Sequence, residues 1–164
     1  MSFLPHLSQL TSLDFRAART YMMTNPPSIW PVDPAPILAA FHCPLLTRLK
    51  LEAPFKSAEM AVLLGRLPRL SSLTLSHMLQ LESLAFLSES VAAQRTLQHL
   101  SIDGRRLADL LQPHELVHLA ALQALVSVSL RPRDDLPITA ACKLLTAPSS
   151  LLPRLQRFEV VRFG

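Results

Sequence analysis

The chain of 164 residues is 49% hydrophobic and 17% charged, which excludes a disordered tail and suits one compact domain or a short solenoid. Its net charge of +4 suits an acidic partner, but the basic residues are scattered and do not alternate with aromatic residues, so nucleic-acid binding is not favoured. The sequence has no run of about 18 apolar residues, so we expect no membrane-spanning helix.

Six short runs along the chain share the pattern apolar-x-x-apolar-x-apolar. They cover residues 10–15, 46–51, 70–75, 97–102, 125–130 and 155–160, and their starts lie 24 to 36 residues apart. Successive side chains of a strand point to opposite faces, so each run predicts a short strand with leucines on one face and polar residues on the other. In the third run, for example, Leu73 and Leu75 face the core and Thr74 faces away.

Four segments between these runs carry apolar residues at helical spacing and predict helices over 57–65, 82–94, 113–124 and 138–146. Pro113 suits the first position of its helix, because the N–H group that proline lacks would have no partner there. Alternation of strands and helices with this period predicts stacked parallel strands with helices outside them. The fold class is therefore α/β.

A proline-rich segment, residues 25–36, lies between the first two runs and contains five prolines and Trp30. We expect an extended loop inserted at the edge of the sheet, because proline fixes φ and restricts the residue before it. Two roles for Trp30 stay open. It pins the loop to the core together with Ile29, which we favour, or it belongs to a recognition loop.

With these runs and spacings the chain resembles the leucine-rich repeat family over nearly its whole length, most closely its ribonuclease-inhibitor-like or F-box/LRR-like repeats. The resemblance implies a single domain over 1–164, an α/β solenoid of about six repeats. Its parallel strands would form the concave face and its helices the convex face. No F-box-like segment precedes the repeats and no polar capping repeat is evident, so we expect a fragment or a chain whose ends a partner covers.

The sequence departs from the family at one position in every repeat. The family places Asn or Cys three residues after the last leucine of the strand, where its side chain bonds buried backbone. The corresponding residues here are Ala18, Pro54, Met78, Arg105, Arg133 and Phe163. We therefore expect the buried backbone of these loops to find its partners in another way, or the repeats to be degenerate.

The stretch His114-Glu115-Leu-Val-His118 matches H-E-x-x-H, in which two histidines on one helix face bind zinc and the glutamate is the general base. The metzincin extension of this motif needs Gly three and His six residues after the second histidine, where this chain has Ala121 and Ala124. No third ligand is evident, so we expect no metal at His114 and His118.

A helical wheel places both histidines nearly opposite the apolar residues Leu116, Leu119 and Ala120. We therefore interpret His114 and His118 as exposed residues on the convex side. A zinc-dependent hydrolase that uses this helix is the alternative to a non-enzymatic role.

Function is expected on the concave face, where the strands present a row of outward side chains. The candidate partner-binding residues are Arg48, Lys50, Ser72, Thr74, His99, Ser101, Ser129 and Arg131. Beside them, Asp14 is expected to face Lys50, and Arg16 to face Glu52, as cross-strand ion pairs.

We therefore expect a protein-interaction scaffold without a cofactor, not an enzyme, whose partner the sequence does not identify. The resemblance to F-box/LRR proteins implies substrate recognition in ubiquitin ligation, with ubiquitin-ligase components among the partners. Cys43 and Cys142 lack the spacing of a zinc site or a disulfide framework, so we expect two buried thiols in a reducing compartment. Without a signal peptide, a cytoplasmic or nuclear location is expected.

Overall fold

The computed structural model describes residues 8–16, 43–52, 55–76, 81–104, 107–110, 112–132 and 154–160. Six strands in these residues form one open sheet: β1 (Ser12–Arg16), β2 (Arg48–Glu52), β3 (Ser72–Ser76), β4 (His99–Gly104), β5 (Ser127–Pro132) and β6 (Arg157–Val160). The strands lie side by side in chain order, and every neighbouring pair is parallel. Each predicted run becomes one strand, and the predicted α/β class is confirmed.

The strands pair without slippage, so each leucine position lies beside the same position of the next strand. Leu49 pairs with Leu73, and Leu73 pairs with Leu100. The inward residues of the four central strands are almost completely buried: Leu49, Leu51, Leu73, Leu75, Leu100, Ile102, Val128 and Leu130. A shift by one residue would turn this apolar set toward solvent, which explains why the alternation in the sequence determines the register.

One backbone contact recurs at the start of each strand. The carbonyl oxygen of Thr47 accepts the N–H groups of Ser71 and Ser72 at 2.9 and 3.0 Å. The same position in four other runs makes the same double contact with the next strand: Thr11, Ser71, Gln98 and Val126. The runs are therefore equivalent in their hydrogen bonding as well as in their sequence.

Five helices connect the strands in the described residues: α1 (Ser57–Gly65), α2 (Ala85–Glu89), α3 (Val91–Thr96), α4 (Leu107–Leu110) and α5 (Pro113–Ala120). Their buried apolar residues, such as Met60, Phe86 and Leu119, belong to the same hydrophobic cluster as the strand leucines. The helices thus cover the leucine side of the sheet. No helix among the residues described is long and apolar enough to cross a membrane.

The predicted helix 82–94 is wrong in its continuity, because Ser90 divides it into α2 and α3. Ser90 has an extended backbone (φ −95°, ψ 104°), and its hydroxyl accepts the N–H of Ala93 at 3.3 Å. Serine favours this N-terminal capping role because its short side chain reaches the free N–H groups of the first turn. By contrast, α1 has the predicted bounds, and α5 begins at Pro113 as predicted but ends four residues early.

Several sequence expectations fall on residues outside the described ranges. They are the loop 25–36 with Trp30, the helix 138–146, Cys142 and the six positions that replace the family's Asn or Cys. Cys43 lies within the described residues and is buried as expected, and this burial raises the pKa of its thiol.

Candidate functional site

The outward side chains of the six strands form one surface, which we call the polar face. The strand register arranges them in three rows across the sheet. The first row is Ser12, Arg48, Ser72, His99, Ser127 and Arg157; the second is Asp14, Lys50, Thr74, Ser101, Ser129 and Glu159; the third is Arg16, Glu52, Ser76, Asp103 and Arg131. Neighbouring strands lie about 4.8 Å apart, so a complete row is about 24 Å long.

All eight candidate binding residues lie on the polar face. Arg48, His99 and Arg131 are exposed, and the other five are half-buried: Lys50, Ser72, Thr74, Ser101 and Ser129. Ser76, in the third row, differs from its neighbours because it is only 8% exposed. The alternation that buries the leucines therefore brings the eight residues to one surface, and their contact with a partner stays a prediction.

A groove of about 600 Å³ runs along the polar face and is lined by residues from each of the six strands. Five of the eight candidates line it: Lys50, Thr74, Ser101, Ser129 and Arg131. The other three, Arg48, Ser72 and His99, lie in the first row beside the groove. We call this feature the polar groove, because hydroxyl and charged groups make up most of its lining.

Asp14 is the centre of the ion pairs at the β1 end of the polar face. It accepts hydrogen bonds from Nε and Nη2 of Arg16 at 3.1 and 2.8 Å and lies 3.7 Å from Nζ of Lys50. The hydrogen bonds from Arg16, with the charges of Arg16 and Lys50, lower the pKa of Asp14. The cross-strand pair of Asp14 and Lys50 is as expected. Arg16 lies opposite Glu52 in the register and donates its hydrogen bonds to Asp14 on its own strand; these bonds, with the charges of Asp14 and Glu52, raise the pKa of Arg16.

The β5 and β6 end of the polar face contains a second ion pair and, within the described part of the chain, two side chains without a partner. Arg157 binds Glu159 through Nε and Nη2 at 2.9 and 2.5 Å. Among the described residues, Arg131 forms no ion pair. The hydroxyl of Ser129, which is shielded from solvent, has no hydrogen-bond partner there either. In the first row, Nδ1 of His99 contacts the hydroxyl of Ser127 at 2.8 Å.

The glutamate of the H-E-x-x-H stretch is buried and bonded to a neighbouring segment. The side chain of Glu115 is 9% exposed, and its Oε2 accepts the backbone N–H of Leu84 at 2.6 Å and the Ser83 hydroxyl at 2.9 Å. These two donors lie just before α2, so the carboxylate caps that segment from α5. Sequence patterns do not reveal this role, because the donors lie more than 30 residues away along the chain.

The two histidines differ from each other, so the expectation that both are exposed is wrong for one of them. The side chain of His114 is 75% exposed. His118 is half-buried, and its Nδ1 contacts the Ser88 hydroxyl at 2.7 Å. The hydroxyl of Ser88 also lies 2.9 Å from the carbonyl oxygen of Ala85, so this carbonyl and His118 are both acceptors within reach of its single proton.

Ser57, Ser83 and Glu115 connect three successive inter-strand segments, and we call them the serine–glutamate ladder. Ser57 donates its hydroxyl proton to the carbonyl of Ser83 at 2.9 Å and accepts the N–H of Ser83 at 3.1 Å. Ser83 in turn donates to Glu115. Backbone groups of Ser83 and Leu84 on the helical side thus find side-chain partners from the neighbouring inter-strand segments. Over the same described ranges, no group of three or more His, Cys, Asp and Glu side chains is placed to hold a metal ion.

Comparisons with models of known protein families, with curated proteins and with solved structures find no match to this chain.

Proposed function

We propose that the chain is a leucine-rich-repeat solenoid that acts as a non-enzymatic interaction module and binds a protein partner on its polar face. The observation that carries the proposal is the polar groove, which is lined by side chains from each of the six strands. In such an arrangement every repeat contributes to one continuous surface, as the concave faces of solenoids do.

The repeat architecture is supported by three features of the described strands. They follow one another in chain order, they are all parallel, and they pair without slippage. The double contact to one carbonyl recurs at each step between strands. Stacked repeats that contact only their neighbours produce this combination, because each repeat offers the next one the same surface.

The chemistry of the groove favours a protein segment over a small molecule. Pockets for small molecules are mostly enclosed and lined by apolar or aromatic groups. The polar groove is open along the sheet, and its floor carries hydroxyl groups such as those of Thr74 and Ser101. Hydroxyl groups both donate and accept hydrogen bonds, which suits the backbone and polar side chains of a partner.

The contacts of the H-E-x-x-H stretch support a structural role for it. A general base needs a carboxylate that is open to the metal-bound water, whereas the Glu115 carboxylate is bonded to Ser83 and Leu84. The resemblance to F-box/LRR proteins extends the proposal to substrate recognition in ubiquitin ligation, by analogy of repeat type.

A pair of charge-matched variants tests the proposal. The face variant combines Arg48→Glu, Lys50→Glu and Arg131→Glu. The control variant combines Lys56→Glu, Arg69→Glu and Arg95→Glu, which makes the same change of charge at exposed residues away from the polar face. Circular dichroism establishes that both variants are folded like the parent chain. We expect partners of the parent chain to be lost from the face variant and retained by the control.

Photo-crosslinking locates the contact directly. A photoreactive residue replaces Ser101, in the polar groove, or Val117, which is 57% exposed on α5. We expect a covalent partner only from position 101, and mass spectrometry shows whether it is a ubiquitin-ligase subunit or substrate. Equal crosslinking at both positions, or equal loss of partners from both charge variants, contradicts the proposal.

A further inference from the structure

The charges on the polar face are unevenly paired. Asp14 is bound to Arg16 and Lys50, and Glu159 is bound to Arg157, so each of these three cations already has a carboxylate partner within the face. Glu52 and Asp103 also take part in interactions of their own. Among the described residues, the polar-face cations that lack an ion pair are Arg48 and Arg131. The charge left for a partner is therefore positive.

Arg131 lies in the polar groove next to the unsatisfied hydroxyl of Ser129. Both side chains leave the same face of β5, two residues apart, which separates their Cβ atoms by about 6.5 Å. A buried hydroxyl without a partner is unfavourable, and a carboxylate can accept its proton while it pairs with the guanidinium. One acidic side chain would satisfy both groups once it displaces the neighbours that now cover the hydroxyl.

The lining of the groove favours an extended ligand. The groove is open, runs across the six strands over about 24 Å, and carries hydroxyl groups on its floor. An extended segment leaves its backbone N–H and C=O groups free to bond such hydroxyls, whereas a helix bonds these groups internally. About seven extended residues span the six strands.

From these observations we infer that the polar groove binds an extended acidic peptide segment of the partner, with a carboxylate anchored by Arg131 and a second one near Arg48. This inference rests on the proposed function and specifies the chemistry of its ligand. The net charge of the whole chain, +4, adds long-range attraction for such a segment.

The test uses the full chain and a library of randomised octapeptides as the probe. We expect the enriched peptides to be richer in Asp and Glu than the library, and their binding to weaken as salt is raised. For an enriched peptide, Arg131→Gln should raise Kd at least fivefold. Arg95→Gln, the same change at an exposed site on α3, should change Kd less than twofold. Arg131→Glu should reduce the acidic preference of the enriched peptides.

The outcomes separate this inference from the proposed function. Enriched peptides without acidic bias, or Arg131→Gln that binds like the parent, overturn the inference. Ser101→Trp fills the groove. If this variant abolishes binding of the enriched peptides in either of those cases, the proposed interaction module is supported, but its ligand has a different chemistry. If no peptide is enriched, or Ser101→Trp binds like the parent, both the inference and the proposed function fail. Circular dichroism of each variant confirms that it is folded.

Discussion

Replacement of Glu115 by alanine should destabilise the fold, because the carboxylate joins α5 to the segment before α2. Glu115 is 7% exposed and accepts hydrogen bonds from the Leu84 N–H and the Ser83 hydroxyl. A hydrogen bond to a charged group contributes about 1.5–3 kcal/mol, and a buried donor left without a partner costs about 1–3 kcal/mol. Removal of a buried charge offsets part of this loss. We expect Glu115→Ala to lower the free energy of unfolding by about 2–3 kcal/mol.

Urea unfolding followed by far-UV circular dichroism measures this loss. With a urea dependence of about 2 kcal/mol/M, the midpoint of Glu115→Ala should fall by about 1 M. Glu115→Gln keeps one acceptor oxygen and should lose about 1 kcal/mol. The control is Glu89→Ala, an exposed glutamate on α2, which should stay within about 0.5 kcal/mol of the parent.

A catalytic role for Glu115 predicts the opposite result, namely little change in the free energy of unfolding. A general base at a zinc site can be replaced with loss of activity and little loss of stability. If Glu115→Ala unfolds at the same urea concentration as Glu89→Ala, the structural role of the carboxylate is refuted. In that case the zinc-dependent hydrolase becomes the better explanation. It would be supported if equimolar zinc stays bound through dialysis and is lost when His114 and His118 are replaced by alanine.

Three further predictions concern the core, an ion pair and a thiol. Leu73→Ala should cost about 3 kcal/mol in urea unfolding, because Leu73 is 0% exposed in the middle of the sheet. The NMR-detected pKa of Asp14 should lie below 3.8 and rise in Arg16→Gln. Since folding lowers this pKa, the pair stabilises the fold above the ordinary pKa of aspartate, and its contribution disappears as pH falls through the folded value. In a Cys142→Ser chain, Cys43 should react with a thiol reagent only after unfolding, because it is 1% exposed.

The strands and their register were predictable because they depend on a local pattern. In each run two apolar residues alternate with polar ones, and a slip of one residue would expose them, so the pattern leaves one favourable pairing. The same alternation brought the eight candidate binding residues to one face. The division of 82–94 at Ser90 was not evident, because serine within an apolar periodicity is compatible with both a helix interior and a cap.

The contacts of Glu115 and Arg16 required the three-dimensional structure. Glu115 occupies the general-base position of a zinc motif that the sequence did not favour, and its hydrogen-bond donors lie more than 30 residues away along the chain. Arg16 has carboxylates within reach on its own strand and on β2, and the choice between Asp14 and Glu52 depends on side-chain rotamers. Among the described residues, Arg131 is left without an ion pair although it lies opposite Asp103 in the register.

The spacing of the strands also limits how many side chains of an extended partner the polar face can bind in register. The rows repeat about every 4.8 Å, whereas same-side residues of an extended peptide repeat about every 6.7 Å. The two periods coincide about once in 20 Å, so along a row of about 24 Å at most two peptide side chains meet a strand in phase. Recognition on this face would therefore use a few anchor positions and not one partner residue per repeat. Partners with different sequences then share the surface if they carry the same anchors.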